Sequence, residues 1–257
     1  MLELSMAQIG AWLGLIWWPF CRAMGLFLTL PMLSSRYIPM RVKVLLALMV
    51  ALVALPLMPA MPQLELASAG AVLLSLEQIL LGFLMAMPLL FCLQIMSVIG
   101  GIVSMQMGLS MAIMNDPING GSHALLGQWL LLYGTLLFLG MDGHNVALQV
   151  YAASFHSWPV GKGIFSLPLY QLALQFGWLI ASALLTALPA VVAMLLVNLT
   201  FGVMNRAASS FNIFALGFPM AMLMGLGAMA LLQQLLPSRY GDYSAQALQM
   251  MQQFVQP

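Results

Sequence analysis

Between Gln78 and Asn115 the chain carries no charge, and its few polar positions recur at helical spacing. Gln94, Ser97, Gly101, Ser104 and Gly108 step three or four residues apart, which places them on one face of a helix. Gly100, Ser104 and Gly108 also step four apart, a spacing of small residues that lets helix backbones approach closely in lipid. Gly217, Ala221 and Gly225 repeat it further along. After Gly108 the pattern breaks into Met111, Met114, Asn115, Asp116, Pro117, Gly120 and Gly121, a methionine-rich stretch turning into a Pro/Asn/Gly loop. Asp116-Pro117 favours leaving the helix, and Gly120-Gly121 supplies a place to bend. Met105, Met107, Met111 and Met114 border that break. Two uses are open to them: lining a movable closure, or packing between helices.

A hydrocarbon span needs about 20 mostly apolar residues. Helical segments of that kind fall at about Ile9–Leu30, Val44–Met61, Ala71–Gly101, Ala124–Met141, Leu169–Asn205 and Phe211–Leu236. Pro88 and Pro189 lie inside the two longest, so kinks or breaks are expected there. Turn signals separate the segments, among them Pro31 to Pro39, Pro56 to Pro62, Asn115–Gly121, Trp158–Gly163 and Asn205–Asn212. From Tyr243 to Gln256 the apolar positions Leu248, Met251, Phe254 and Val255 share a face. That pattern predicts a separate amphipathic helix resting on a partner or on the membrane surface, or a frayed terminal helix.

Composition narrows the class. The 257 residues are 63% hydrophobic and only 5% charged, whereas a soluble domain carries roughly a quarter charged residues. An all-α integral membrane protein follows. A net charge of +1 with no basic run offers nucleic acid no surface. Glu3 and Arg22 argue against a secretory signal at the N-terminus. Cys21 and Cys92 sit in apolar segments and form neither a disulfide framework nor a metal spacing. Lys and Arg near the spans place Arg36, Arg41, Lys43 and Arg206 on one side and Lys162 and Arg239 on the other, which favours an exterior N-terminus.

Charges inside apolar segments are costly and call for a role. Arg22, Glu77 and Arg206 are the buried-charge candidates. Arg22 and Glu77 either pair between the first and third spans or each reach water near an interface; Arg206, beside a turn, is read as interfacial. Catalytic chemistry is not expected. Walker, HExxH and GxSxG motifs are absent, and His123, His144 and His156 lack ligand spacing. Asp142-Gly143-His144 reads as a hydrogen-bonded turn rather than an acid–base pair. No catalytic, cofactor or metal site is assigned.

Three stretches resemble one family, the FliR-type subunit of the flagellar and injectisome type III secretion export gate. The first is Gly100-Gly101-Ile-Val-Ser104-Met-Gln106-Met107-Gly108-Leu-Ser110 leading into Asn115-Asp116-Pro117. The second is Leu137-Phe138-Leu139-Gly140-Met141-Asp142-Gly143-His144, followed by Ser154-Phe155 and Pro159. The third holds Asn198, Gly202, Asn205-Arg206-Ala207-Ala208-Ser209-Ser210-Phe211-Asn212 and Gly217-Phe218-Pro219. Gly217-Phe218-Pro219 without a following lysine is more similar to the flagellar branch. Ser209-Ser210 departs from the Pro-Gln usual in the family, which implies a looser turn.

The resemblance implies kinked helical hairpins wound into a superhelical, heteromeric gate. One copy of this chain would stand among several FliP-type and FliQ-type subunits, beside an FlhB-type subunit, in the bacterial inner membrane at the flagellar basal body. Residues 1–165 would correspond to the FliP-like part, 166–240 to a FliQ-like hairpin and 241–257 to the tail. The segment Gln106–Gly121 matches the family's plug loop, making Met107, Gly108, Met111, Met114, Asn115, Asp116, Pro117, Gly120 and Gly121 the closure residues. Gly100, Ser104, Gly108, Gly217, Ala221 and Gly225 would be packing and assembly positions. The function implied is passage and sealing of unfolded export substrates. Two alternatives remain at this point: a self-contained transporter for a small solute, and a scaffold that never gates.

Overall fold

Among the described residues the long apolar runs are helical, and no strand occurs. The computed structural model describes residues 6–30, 33, 38–59, 68–109, 125–163, 169–207 and 213–255, with side chains described except at 6–13, 205 and 213–216. The helices are α1 (Met6–Thr29), α2 (Met40–Ala54), α3 (Ala69–Gln106), α4 (Leu125–Gly140), α5 (Gly143–Ser157), α6 (Leu169–Ala207) and α7 (Ile213–Val255). A single 3₁₀ turn, Leu55–Leu57, follows α2 with Pro56 inside it. Among the described residues four helical stretches are long and apolar enough to cross a membrane, Met40–Leu57, Ala69–Gln106, Leu169–Met204 and Gly217–Val255, and a fifth if the bent pair Leu125–Gly140 and Gly143–Ser157 is one span. The fold is that of an all-α integral membrane protein.

Two compact units divide the chain. The first comprises Met1–Phe91, Asp142–Gln175 and Ala245–Pro257, and the second Cys92–Met141 and Phe176–Ser244. In the first unit α2 packs on α1 through a face of small residues, Ala47, Ala51 and Ala54, with Lys43 on the same face. Its opposite face leaves Leu45, Met49 and Val53 exposed. In the second unit α6 buries Ser182, Ala183, Thr186, Ala187 and Ala190. Thr186 Oγ1 and the Tyr243 hydroxyl of α7 share a hydrogen bond of 2.6 Å, and Trp178 meets the Tyr243 ring edge-on.

Two sequence expectations change and one is narrowed. Of the kinks or breaks expected at Pro88 and Pro189, no break occurs, because α3 and α6 are continuous through both; within apolar bundles, neighbouring helices and side chains tolerate the lost N–H. A helix not expected from periodicity, α5, begins immediately after Asp142, which stands in the left-handed region at φ 56° and breaks the chain between α4 and α5. The stretch after Tyr243 is not a separate helix. The buried positions of α7 run Ala221, Gly225, Met229, Leu232, Leu236, Tyr240, Ser244, Ala247, Met251, Phe254, stepping three or four throughout. One stripe therefore carries the helix through Pro237 and the cluster of charges beside it.

Candidate functional site

The predicted closure begins where α3 ends. Gly108 N–H donates to the Met105 carbonyl and Leu109 N–H to the Ser104 carbonyl, each at 3.1 Å, with Gly108 at φ +75°. This is a Schellman cap, in which a glycine in the left-handed region lets the last carbonyls of a helix find partners. Gly108 thus serves as the helix stop, and a Cβ there would stand 3.5 Å from the Phe218 ring of α7. Met107, just before it, is 1% exposed. Its side chain lies over Gly225 of α7, where an added Cβ would stand 2.7 Å from Met107 Sδ. Met105, by contrast, projects outward. Met111, Met114, Asn115, Asp116, Pro117, Gly120 and Gly121 lie outside the described residues.

The small residues expected at an assembly face are largely engaged inside the second unit. A Cβ on Gly100 would stand 2.7 Å from Gly127 Cα of α4, and one on Gly127 would meet the Ser97 carbonyl at 2.9 Å, so the two backbones touch. Its neighbour Gly101 faces open space. Ser104 is buried with its hydroxyl unpartnered among the described residues. Ala221 is buried beside Gly225, and Gly217 is half-buried.

In the first unit a second glycine pair builds a polar centre. A Cβ on Gly25 of α1 would collide with the Ile79 carbonyl, and one on Gly82 of α3 with the Arg22 carbonyl. That contact brings position 22 against position 78. Arg22, 1% exposed, donates from Nε to Gln78 Oε1 at 2.9 Å, from Nη1 to Ser154 Oγ at 2.8 Å and from Nη2 to the Trp158 carbonyl at 2.9 Å. Its guanidinium lies 3.8 Å from the Phe155 ring centroid, an attraction strengthened by exclusion of water. Ser154 in turn donates to the Tyr151 carbonyl, and the Tyr151 hydroxyl to the Pro19 carbonyl at 2.7 Å. All of the guanidinium's hydrogen-bond partners among the described residues are neutral.

The geometry separates the two readings of Arg22 and Glu77. Arg22 does not reach water, and its hydrogen bonds go to neutral groups, while the Glu77 carboxylate acts on it electrostatically without a direct hydrogen bond. One residue along α3 rotates the side chain by about 100°, so Gln78 points at the guanidinium while Glu77 is half-buried beside it, accepting from Gln78 Nε2 at 3.5 Å. Arg206 is exposed at the end of α6. Asp142 forms the expected turn, its Oδ1 accepting from Asn145 Nδ2 at 3.1 Å. Among the described residues no group of three or more His, Cys, Asp or Glu could hold a metal ion.

The model of one family, bacterial export proteins, family 1, matches residues 13–247. The chain belongs to that family. It is FliR-type, as the motifs led us to expect. It is 33% identical over 237 residues to the flagellar biosynthetic protein FliR of Escherichia coli (strain K12), covering 92% of this chain and 90% of that one. It is 31% identical over 227 residues to FliR of Pectobacterium carotovorum, covering 88% and 87%, and 24% identical over 205 residues to FliR of Bacillus subtilis (strain 168), covering 78% and 79%.

In this FliR-type chain the family match includes the glycine pairs, the Arg22 centre and the Schellman cap. Residues 251, 254 and 255, buried on α7, lie beyond its end. Sequence reasoning singled out Arg22 but missed Gln78, Tyr151, Phe155 and Trp158 as its surroundings. The available signal was Gly25 and Gly82, two glycines inside apolar spans, where close backbone approach is the usual reason for them.

Proposed function

We propose that this chain is a non-catalytic membrane subunit of the flagellar type III export gate, contributing to the conduit for unfolded substrates and to its seal. As a FliR-type protein it is a membrane-embedded component of flagellar protein export. The further reading rests on α6. Its apolar stretch Leu169–Met204 is 36 residues long, about 54 Å at 1.5 Å per residue. Leu174, Leu185, Leu196, Leu199 and Val203 are all more than half exposed along that length. Hydrocarbon is about 30 Å deep and helix tilts stay within about 40°. Even at that tilt the 36-residue stretch rises about 41 Å, beyond the hydrocarbon, and we read the excess as the part that other protein covers. FliP-type, FliQ-type and FlhB-type subunits are the partners this reading names, with one copy of the chain in a complex at the basal body in the inner membrane.

The Gln106–Gly121 segment is assigned the seal. Methionine suits a barrier that excludes ions yet yields to any passing sequence, being unbranched, apolar and mobile. Met107 and Gly108 would anchor the segment on α7 and at the cap of α3. Deleting Ile113–Gly121 tests the assignment. Complexes carrying the deletion should assemble and leak small ions across the membrane, and an intact barrier in assembled complexes would remove the sealing role.

A further inference from the structure

The Arg22 centre has one wall that belongs to a distant part of the sequence. A narrow cavity beside the guanidinium is lined by Arg22, Leu81, Met85, Ser154 and Trp158 together with Phe254 and Val255 of α7. Met251, Phe254 and Val255 are 0–4% exposed, and all of these residues are in the first unit. An ion whose hydrogen bonds all go to neutral groups holds its place only while every surrounding group keeps water from competing for those bonds. Gln78, Ser154 and the Trp158 carbonyl supply those bonds, and the apolar pair on α7 supplies the cover.

We propose that residues 245–255 form an intramolecular latch. Phe254 and Val255 close the Arg22 chamber, and release of the latch hydrates the guanidinium and frees the Trp158 turn at the end of α5 from α1 and α3. The amphipathic pattern that suggested a helix resting on a partner or on lipid is, on this account, a helix docked on its own chain. The latch joins three segments far apart in sequence, around residues 22, 78 and 154, to a fourth at 254. It does not depend on the export-gate reading, since each residue concerned is within one unit of the isolated chain.

Two measurements on the full chain in native membranes test the latch. With Cys21→Ala and Cys92→Ala as background, Met85→Cys is combined with Phe254→Cys or, as a control, with the exposed Gln249→Cys, and the membranes are oxidised with iodine. Mass spectrometry should find the 85–254 disulfide in most molecules and the 85–249 disulfide in few. Equal linkage of both pairs, or none of the first, overturns the proposal. Separately, Phe254→Ser in the otherwise native chain should speed hydrogen exchange at the Trp158 amide, which is bonded to the Ser154 carbonyl at 2.8 Å, while leaving the Gly108 and Leu109 amides of the second unit unchanged. Unaltered exchange at Trp158, or a general loss of protection in both units, would contradict it.

Discussion

Arg22 has left water with a glutamine, a serine and a backbone carbonyl to receive it, so its neighbours matter more than its charge does. Hydrogen bonds to a charged group are worth about 1.5–3 kcal/mol each, and Gln78 accepts from two of the guanidinium nitrogens. Gln78→Leu should therefore lower stability by about 2–3 kcal/mol, measured by denaturation in detergent micelles. Adding Arg22→Leu to that variant should recover part of the loss, because a buried cation with a missing partner is worse than no cation. A double variant less stable than Gln78→Leu alone would mean that the charge itself is favourable there. Gly108 behaves differently. Its left-handed backbone makes Gly108→Ala cost about 1–2 kcal/mol, although a Cβ would only touch the Phe218 ring at 3.5 Å. Gly108→Asn should be milder, since asparagine visits that region more readily. Equal losses for alanine and asparagine would place the requirement in packing rather than in backbone conformation.

Adjacent glycines on α3 give the sharpest contrast among the elements. Gly100→Ala must push the α4 backbone away, whereas Gly101 faces open space. Gly101→Ala should be neutral or stabilise by up to about 1 kcal/mol through helix propensity, while Gly100→Ala should loosen α3 from α4. Thermal unfolding of the two single variants separates them, and similar midpoints would refute the close crossing. Much of this was legible beforehand. Periodicity placed α1, α3, α4 and α6 within a few residues of their bounds, and small-residue spacing marked Gly100 and Gly225 as contact points. Which surface they contact was not legible, because glycine spacing reports closeness and not the identity of the neighbour. Both meet their own chain. Helix α5 was missed because Asp142-Gly143-His144 has the chemistry of a turn, yet Gly143 and His144 are already helical and the turn is confined to Met141 and Asp142. The division of α7 near Tyr243 failed because the apolar run ends at Leu236 and the pattern after Tyr243 was read by itself, while the buried stripe passes through without a change of phase.

For the whole molecule the central quantity is exposed apolar length. The first unit satisfies Arg22 internally and the second fills its own glycine grooves, yet α6 keeps a face of leucines, valine and phenylalanine longer than hydrocarbon is deep. A self-contained solute transporter would have no need of such a face beyond the bilayer. A subunit that finishes its surface by docking to other export components would. The most direct measurement places a photo-crosslinking amino acid at Leu174, Leu185, Leu196 or Val203, one at a time, in cells that assemble flagella. The account predicts protein cross-links to other export components from at least one end of this series. Cross-links to lipid alone at all four positions would contradict it.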